Sequence, residues 1–251
     1  MIGVFDSGSG GLTVLREIHS LLPHTPVLYF GDLKNAPYGS RSPEELGVLT
    51  VQGFKKLSDQ GATLIVSACN SASANIVVPL FEGLCIRPEN IIEMVGPTIK
   101  AFAEKKNKKI LLVATEATIR SGVYQQAFHG IGGAIQTLAL PHLARAIEEK
   151  TSAPAVLAMI SEALAPYNGS YDTLILACTH FPLVEEVFKR SVPEGVEIFD
   201  PAEGVAKEVV GHYRGQGSGK LQFLISKDSD FFRAKVAEFF GNSDYTIDVV
   251  S

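Results

Sequence analysis

The chain has 251 residues, 46% of them hydrophobic, which is enough to bury one large α/β core or two smaller ones and excludes a disordered chain. A formal net charge of -5 with no run of five like charges excludes the basic footprint of a nucleic-acid or anionic-membrane binder and points to a small soluble partner. No basic segment followed by an apolar stretch of signal-peptide type opens the sequence, and no apolar run nears the ~20 residues of a membrane span, so the expected location is cytoplasmic.

In chain order, short apolar or β-branched runs predict strands at 2–5, 27–30, 64–67, 91–95, 110–114, 135–138, 174–177, 196–199 and 221–225, with a final strand at 245–249. Longer amphipathic stretches alternate with them, the rhythm of an α/β fold with mostly parallel strands. One helix start is explicit. Ser42-Pro43-Glu44-Glu45 supplies a capping-box serine, a first-turn proline and a reciprocal glutamate, followed by apolar Leu46, Leu49, Phe54 and Leu57. The stretch 211–219 reads as a Gly-rich connecting loop, and the phenylalanine pairs at 231–232 and 239–240 as the core face of a helix.

The sequence also repeats itself. Thr63-Leu-Ile-Val-Ser-Ala-Cys69 resembles Thr173-Leu-Ile-Leu-Ala-Cys178, each an apolar run ending in cysteine before a predicted helix. Ile2-Gly-Val-Phe-Asp6 answers Ile110-Leu-Leu-Val-Ala-Thr115, and the spacing from Asp6 to Cys69 equals that from Thr115 to Cys178, 63 residues. Two similar α/β units are expected, the first centred on 1–95 and the second on about 97–207.

Ligands of parallel α/β sheets collect outside the carboxyl ends of the strands, where Cys69 and Cys178 both fall. A single cysteine there reads as a small buried hydrophobe. A pair at equivalent points of two repeats, each followed by hydrogen-bonding residues, reads as chemistry, and helix N-termini are expected to lower the thiol pKa values. Inverting a stereocentre that bears hydrogen needs a base on one face and an acid on the other, which one thiol from each half supplies. No lysine stands in a pyridoxal context, so no cofactor is expected and fixed dipoles must stabilise the carbanion. No metal is expected either, since Cys178-Thr179-His180 has no companion Cys/His cluster. Gly8, Gly10 and Gly11 lack a phosphate-loop pattern and are read as a tight turn needing special backbone angles. Cys85, among apolar neighbours, is read as packing.

Four segments together, Gly3-Val-Phe-Asp-Ser-Gly-Ser-Gly-Gly-Leu12, Pro37-Tyr38-Gly39, Ala68-Cys-Asn-Ser-Ala-Ser73 and Ala177-Cys-Thr-His-Phe-Pro-Leu183, resemble the glutamate racemases in order and spacing over essentially the whole chain. The resemblance implies cofactor-free interconversion of L- and D-glutamate for peptidoglycan synthesis, two α/β domains related by pseudo-twofold symmetry with the site in the cleft between them, and a homodimer. It also implies a C-terminal segment returning to the first domain, giving residues 1–96 plus 208–251 as one domain and 97–207 as the other. Position by position it implies that Cys69 and Cys178 are the proton-transfer thiols and that Asp6 and His180 assist them. By the same likeness Asp6, Ser7, Tyr38, Gly39, Asn70, Ser71, Thr115, Thr118, Thr179 and His180 contact the substrate. Ser71 stands where threonine is usual and Ala177 where glycine is usual. Many relatives place a glutamate three residues after Pro141, where this chain has Ala144, which leaves open whether Glu148, Glu149 or neither supports His180. Aspartate and hydantoin racemases share the two-cysteine chemistry. A closing two-domain binding protein without catalysis is the rival from another class.

Overall fold

The computed structural model describes residues 1–75, 87–105, 108–213, 215 and 217–250; the expectation for Cys85 lies outside them, as does part of the Gly-rich stretch. Among the described residues ten strands form two sheets. The first has the order β10(Tyr245–Val249), β9(Leu221–Ile225), β2(Val27–Gly31), β1(Ile2–Asp6), β3(Leu64–Ser67), β4(Ile91–Ile92). The second has the order β6(Ile135–Ala139), β5(Ile110–Ala114), β7(Thr173–Ala177), β8(Glu197–Phe199). Every strand pairing among the described residues is parallel. The order β2-β1-β3-β4 therefore matches β6-β5-β7-β8, and the last two strands extend the first sheet beyond β2.

Alternation along the strands sorts side chains to two faces of each sheet. Ile2, Val4, Val27 and Tyr29 pack with the helices Leu12–Leu21, Ala202–His212 and Asp230–Phe240, whereas Phe5, Leu28, Phe30 and Ile65 meet Leu46, Phe54 and Leu57 of the helix Pro43–Asp59. In the second sheet Leu111, Val113, Leu174 and Leu176 pack on the helix Ala153–Leu164, and Ile110, Leu112 and Ile175 on Tyr124 and Phe128 of Val123–Gly130. Each such large apolar side chain, fully buried, contributes ~1.5–3 kcal/mol. The helix Ala202–His212 spans the expected boundary at 207/208. Its buried Ala202, Val205, Ala206 and Val209 all belong to the core of the first sheet.

The capping box forms as its sequence predicts: Ser42 Oγ accepts from the Glu45 N–H at 3.2 Å and Glu45 Oε2 accepts from the Ser42 N–H at 3.0 Å. Of the phenylalanine pairs, Phe232 and Phe240 are buried in the first core, while Phe231 leans on the core of the second sheet. The strand expected at 91–95 stops at Ile92. The Glu93 carboxylate accepts from the N–H groups of Val95 and Gly96 and starts the helix Val95–Phe102 instead. Glycines 8, 10 and 11 are absent from the positive-φ residues. The expected special backbone angles are thus not the reason for them; close packing is, as the site makes plain. The repeat is also one residue out of step. Ile2 pairs with Leu64, 62 positions on, and Ile110 with Thr173, 63 on, so superposing the cysteines sets Thr115 opposite Ser7 rather than Asp6.

Candidate active site at the facing strand ends

In each sheet the strand order reverses between the first strand and its two neighbours, which opens a crevice at the carboxyl ends of β1 and β3, and of β5 and β7. These two crevices face each other. Asp6 ends β1, Ser7 follows it, and Cys69 lies two residues past β3; Thr115 follows β5 and Cys178 follows β7. Both cysteines are reduced and buried, with 4% and 5% exposure.

The Cys69 thiol donates to Ser7 Oγ at 3.5 Å. Burial pushes its pKa up to about 12, aided by the negative charge of Asp6 and by Cys178, against the lowering effect of the Ser7 hydroxyl and the Ala72 N–H. The sequence led us to expect a lowered value from the following helix. That helix is a single turn, Asn70–Ser73, and desolvation outweighs it. On the other side His180 shares a hydrogen bond with Cys178 and, through Nε2, with Glu148 Oε1 at 2.8 Å. Burial alone would lower the imidazole; the hydrogen bonds to Cys178 and Glu148 and their charges overcome it and raise the pKa well above the ordinary value. Glu148 is correspondingly held low, burial being overcome by His180 and by the Ser9 N–H at 3.1 Å. Glu148, last residue of the helix Leu143–Glu148, thus answers the open question about His180, whereas Glu149 pairs with Arg145 at the surface.

Asp6 is wholly buried and its carboxyl is raised by desolvation, in part offset by the His180 charge. It does two jobs. Oδ1 accepts from the Gly8 N–H at 2.7 Å and Oδ2 accepts from Thr179 Oγ1 at 3.1 Å, so it both shapes its own turn and ties the first unit to the second. Its link to Cys69 is electrostatic, and Ser7 is the direct partner of the thiol. Farther along the seam Ser71 Oγ lies 2.9 Å from Thr115 Oγ1, which in turn lies 3.1 Å from Thr118 Oγ1. Asn70 Oδ1 accepts from Tyr124 at 2.7 Å, and Tyr38 donates to the buried Asp32 at 2.8 Å. Every candidate site residue but the half-buried Gly39 is buried along this seam.

Two glycines let the halves meet. A Cβ on Gly10 would lie 2.6 Å from His180 Nδ1 and closer still to Thr179 Oγ1, and one on Gly39 would lie 2.7 Å from Thr115 Cβ. Tyr124 and Asp32 are the partners that sequence patterns did not single out; Glu148 had been left open beside Glu149, each a helical turn or so past the expected position.

Two like parallel sheets, each with a buried cysteine at its switch point and the two facing across one polar seam, define a pseudosymmetric two-sheet α/β protein with a candidate site between its halves. A family model described as Asp/Glu/Hydantoin racemase matches residues 2–209. The glutamate racemase of Aquifex aeolicus is 35% identical over 230 residues, 91% of this chain and 89% of that protein; that of Lactobacillus helveticus is 32% identical over 255 residues, 98% and 95%. Among solved structures, glutamate racemase isoform RacE1 of Bacillus anthracis superposes with a TM-score of 0.88 at 32% identity, covering 100% of this chain and 97% of that one. Glutamate racemase from Francisella tularensis in complex with D-glutamate gives 0.88 at 26% identity, with coverages of 100% and 97%. The chain belongs to the aspartate/glutamate/hydantoin racemase family and is a racemase, an isomerase by class.

Proposed function

We propose that this racemase interconverts L- and D-glutamate without a cofactor, by proton transfer between Cys69 and Cys178 across the α-carbon. The observation that carries the reading is the placement of the two buried thiols at equivalent strand ends of two facing sheets, each with its own hydrogen-bonding partner, Ser7 for one and His180 for the other. In the L to D direction the Cys178 thiolate takes the α-proton and becomes a thiol. The electron pair left on carbon takes a proton from the Cys69 thiol on the opposite face, leaving a Cys69 thiolate; the reverse direction exchanges the roles. Asp6 and His180 return protons between the thiols and their surroundings. Ser7, Tyr38, Gly39, Asn70, Ser71, Thr115, Thr118 and Thr179 line the seam as substrate contacts, and the hydroxyl group of Ser71, Thr115 and Thr118 suits the side-chain carboxylate. Glutamate is favoured over aspartate and hydantoins because the named relatives with the highest coverage are glutamate racemases. The motif resemblance further makes it a homodimer whose product feeds peptidoglycan synthesis, and the acidic charge balance together with the lack of a long apolar run favours a cytoplasmic enzyme with neither nucleic-acid nor membrane partner.

The two enantiomers have equal free energy, so kcat/KM is equal in both directions and cannot assign the thiols; isotope exchange can. In deuterated buffer Cys69→Ala and Cys178→Ala should both lose racemisation. Cys69→Ala should still wash deuterium slowly into L-glutamate, and Cys178→Ala into D-glutamate. Full racemase activity in either variant refutes the two-thiol scheme, and a chiral panel without turnover of glutamate refutes the substrate.

A further inference from the structure

A carboxamide presents an acceptor at one end and two donors at the other, and its neighbours decide which end faces a site. Asn70, next in the chain to Cys69, is buried, and its Oδ1 accepts from the Tyr124 hydroxyl at 2.7 Å. Its Nδ2 has no partner among the described residues. Tyr124 comes from the other half of the molecule, on the helix Val123–Gly130, and is fully enclosed among Val95, Phe102 and Phe128. Enclosure, together with the negative charge of Glu93, keeps the phenol protonated, a permanent donor. On this wall Thr98 directs its own hydroxyl proton to the Met94 carbonyl at 2.6 Å. Oδ1 is thus committed to the protein, and the two N–H groups are what Asn70 has left to offer.

Building on the glutamate racemase reading above, we propose that Tyr124 is a positioning residue: it fixes the Asn70 carboxamide so that only donors face the seam, making Asn70 a contact for a carboxylate oxygen of the substrate and not for its ammonium group. The bond spans the two units. It therefore forms only when they are closed, and it ties recognition of the carboxylate to closure. Asp6 and Thr179, by contrast, offer acceptors at the neighbouring crossing point.

The test compares wild type, Tyr124→Phe, Asn70→Ala and the double variant in glutamate racemisation. Tyr124→Phe removes one oxygen and should raise KM about tenfold with kcat within about threefold, because the lost contact is made equally before and during the reaction. In the Asn70→Ala background the same change should have no further effect on KM. A purely structural tyrosine would instead give additive losses in both backgrounds, and that result, or an unchanged KM in Tyr124→Phe, overturns the proposal. Should Tyr124→Phe not fold, Asn70→Asp decides the matter: it still accepts from Tyr124 but has no donor left, so KM should rise at least a hundredfold, and a wild-type KM overturns the proposal. Failure of the underlying reading looks different. A wild type inert on glutamate sinks both, whereas an active wild type with an indifferent Tyr124→Phe variant sinks only this one.

Discussion

Gly10→Ala is the sharpest probe of the seam. Gly10 has no positive φ, so alanine meets no backbone penalty and the effect is purely steric. The new methyl would sit 2.6 Å from His180 Nδ1 and 2.8 Å from the His180 backbone nitrogen, atoms that belong to the opposite half. Ordinary carbon contacts begin near ~3.5 Å, so the halves must part by about 1 Å. The Thr179–Asp6 and Ser9–Glu148 bonds, now 3.1 Å each, then stretch beyond hydrogen-bonding range, and His180 is drawn from Cys178. A displacement of about 1 Å in a reacting constellation costs on the order of a hundredfold in rate. Racemisation followed by circular dichroism should show kcat/KM falling by about that factor. The melting temperature should fall little, because the two cores lie away from the seam. Activity above half of wild type would refute the account of why glycine stands there.

Three further outcomes follow from the same structure. Ser42→Ala removes one arm of the capping box and should cost about 1 kcal/mol, seen as a melting temperature lower by about 2–4 °C with activity kept. For Glu148→Gln the sign is set by two shifts: His180, raised above 6.5, stabilises fully below that pH and loses its contribution as pH climbs through the folded value, while Glu148, depressed below 4.5, stabilises above 4.5 and loses its contribution on acidification. Urea unfolding should therefore show the largest deficit of the variant between pH 4.5 and 6.5, shrinking on either side. With its pKa pushed up to about 12, Cys69 in the substrate-free enzyme should react with iodoacetamide far more slowly than a free thiol at pH 8; a reaction at the free-thiol rate would contradict the buried, neutral thiol.

Strand positions were legible because each is a short β-branched run bounded by polar residues, and the boundaries at 64–67, 110–114, 221–225 and 245–249 coincide with β3, β5, β9 and β10. The strand at 91–95 failed at Glu93, where a side chain captured backbone donors, an effect that hydrophobic pattern does not carry. The pairing of Cys69 with Cys178 was legible as a repeat. Its one-residue slip was not, because these parallel strands are buried on both faces and their continuous apolar runs carry no alternation from which a register could be read. The reasons for Gly10 and Gly39 were likewise hidden, because a glycine required by a neighbour 169 or 76 positions away looks in sequence like any turn glycine. Tyr124 escaped for the same cause, and Glu148 could not be told from Glu149: the partners that decide, Asn70 for one and Ser9 and His180 for the other, are distant in the chain. The Cys69 thiol shows the other limit. Helix position argued for easier ionisation, and only enclosure, which is a property of the folded whole, reverses the sign.

Two bonds that cross the seam, from Thr179 to Asp6 and between Ser71 and Thr115, employ the very groups to which substrate contacts are ascribed. A guest entering there competes with the enzyme's own latch, exchanging bonds more than adding them, so much of its intrinsic attraction is consumed in prying the jaws apart. Modest ground-state affinity and a turnover paced by unlatching are what such a lock produces.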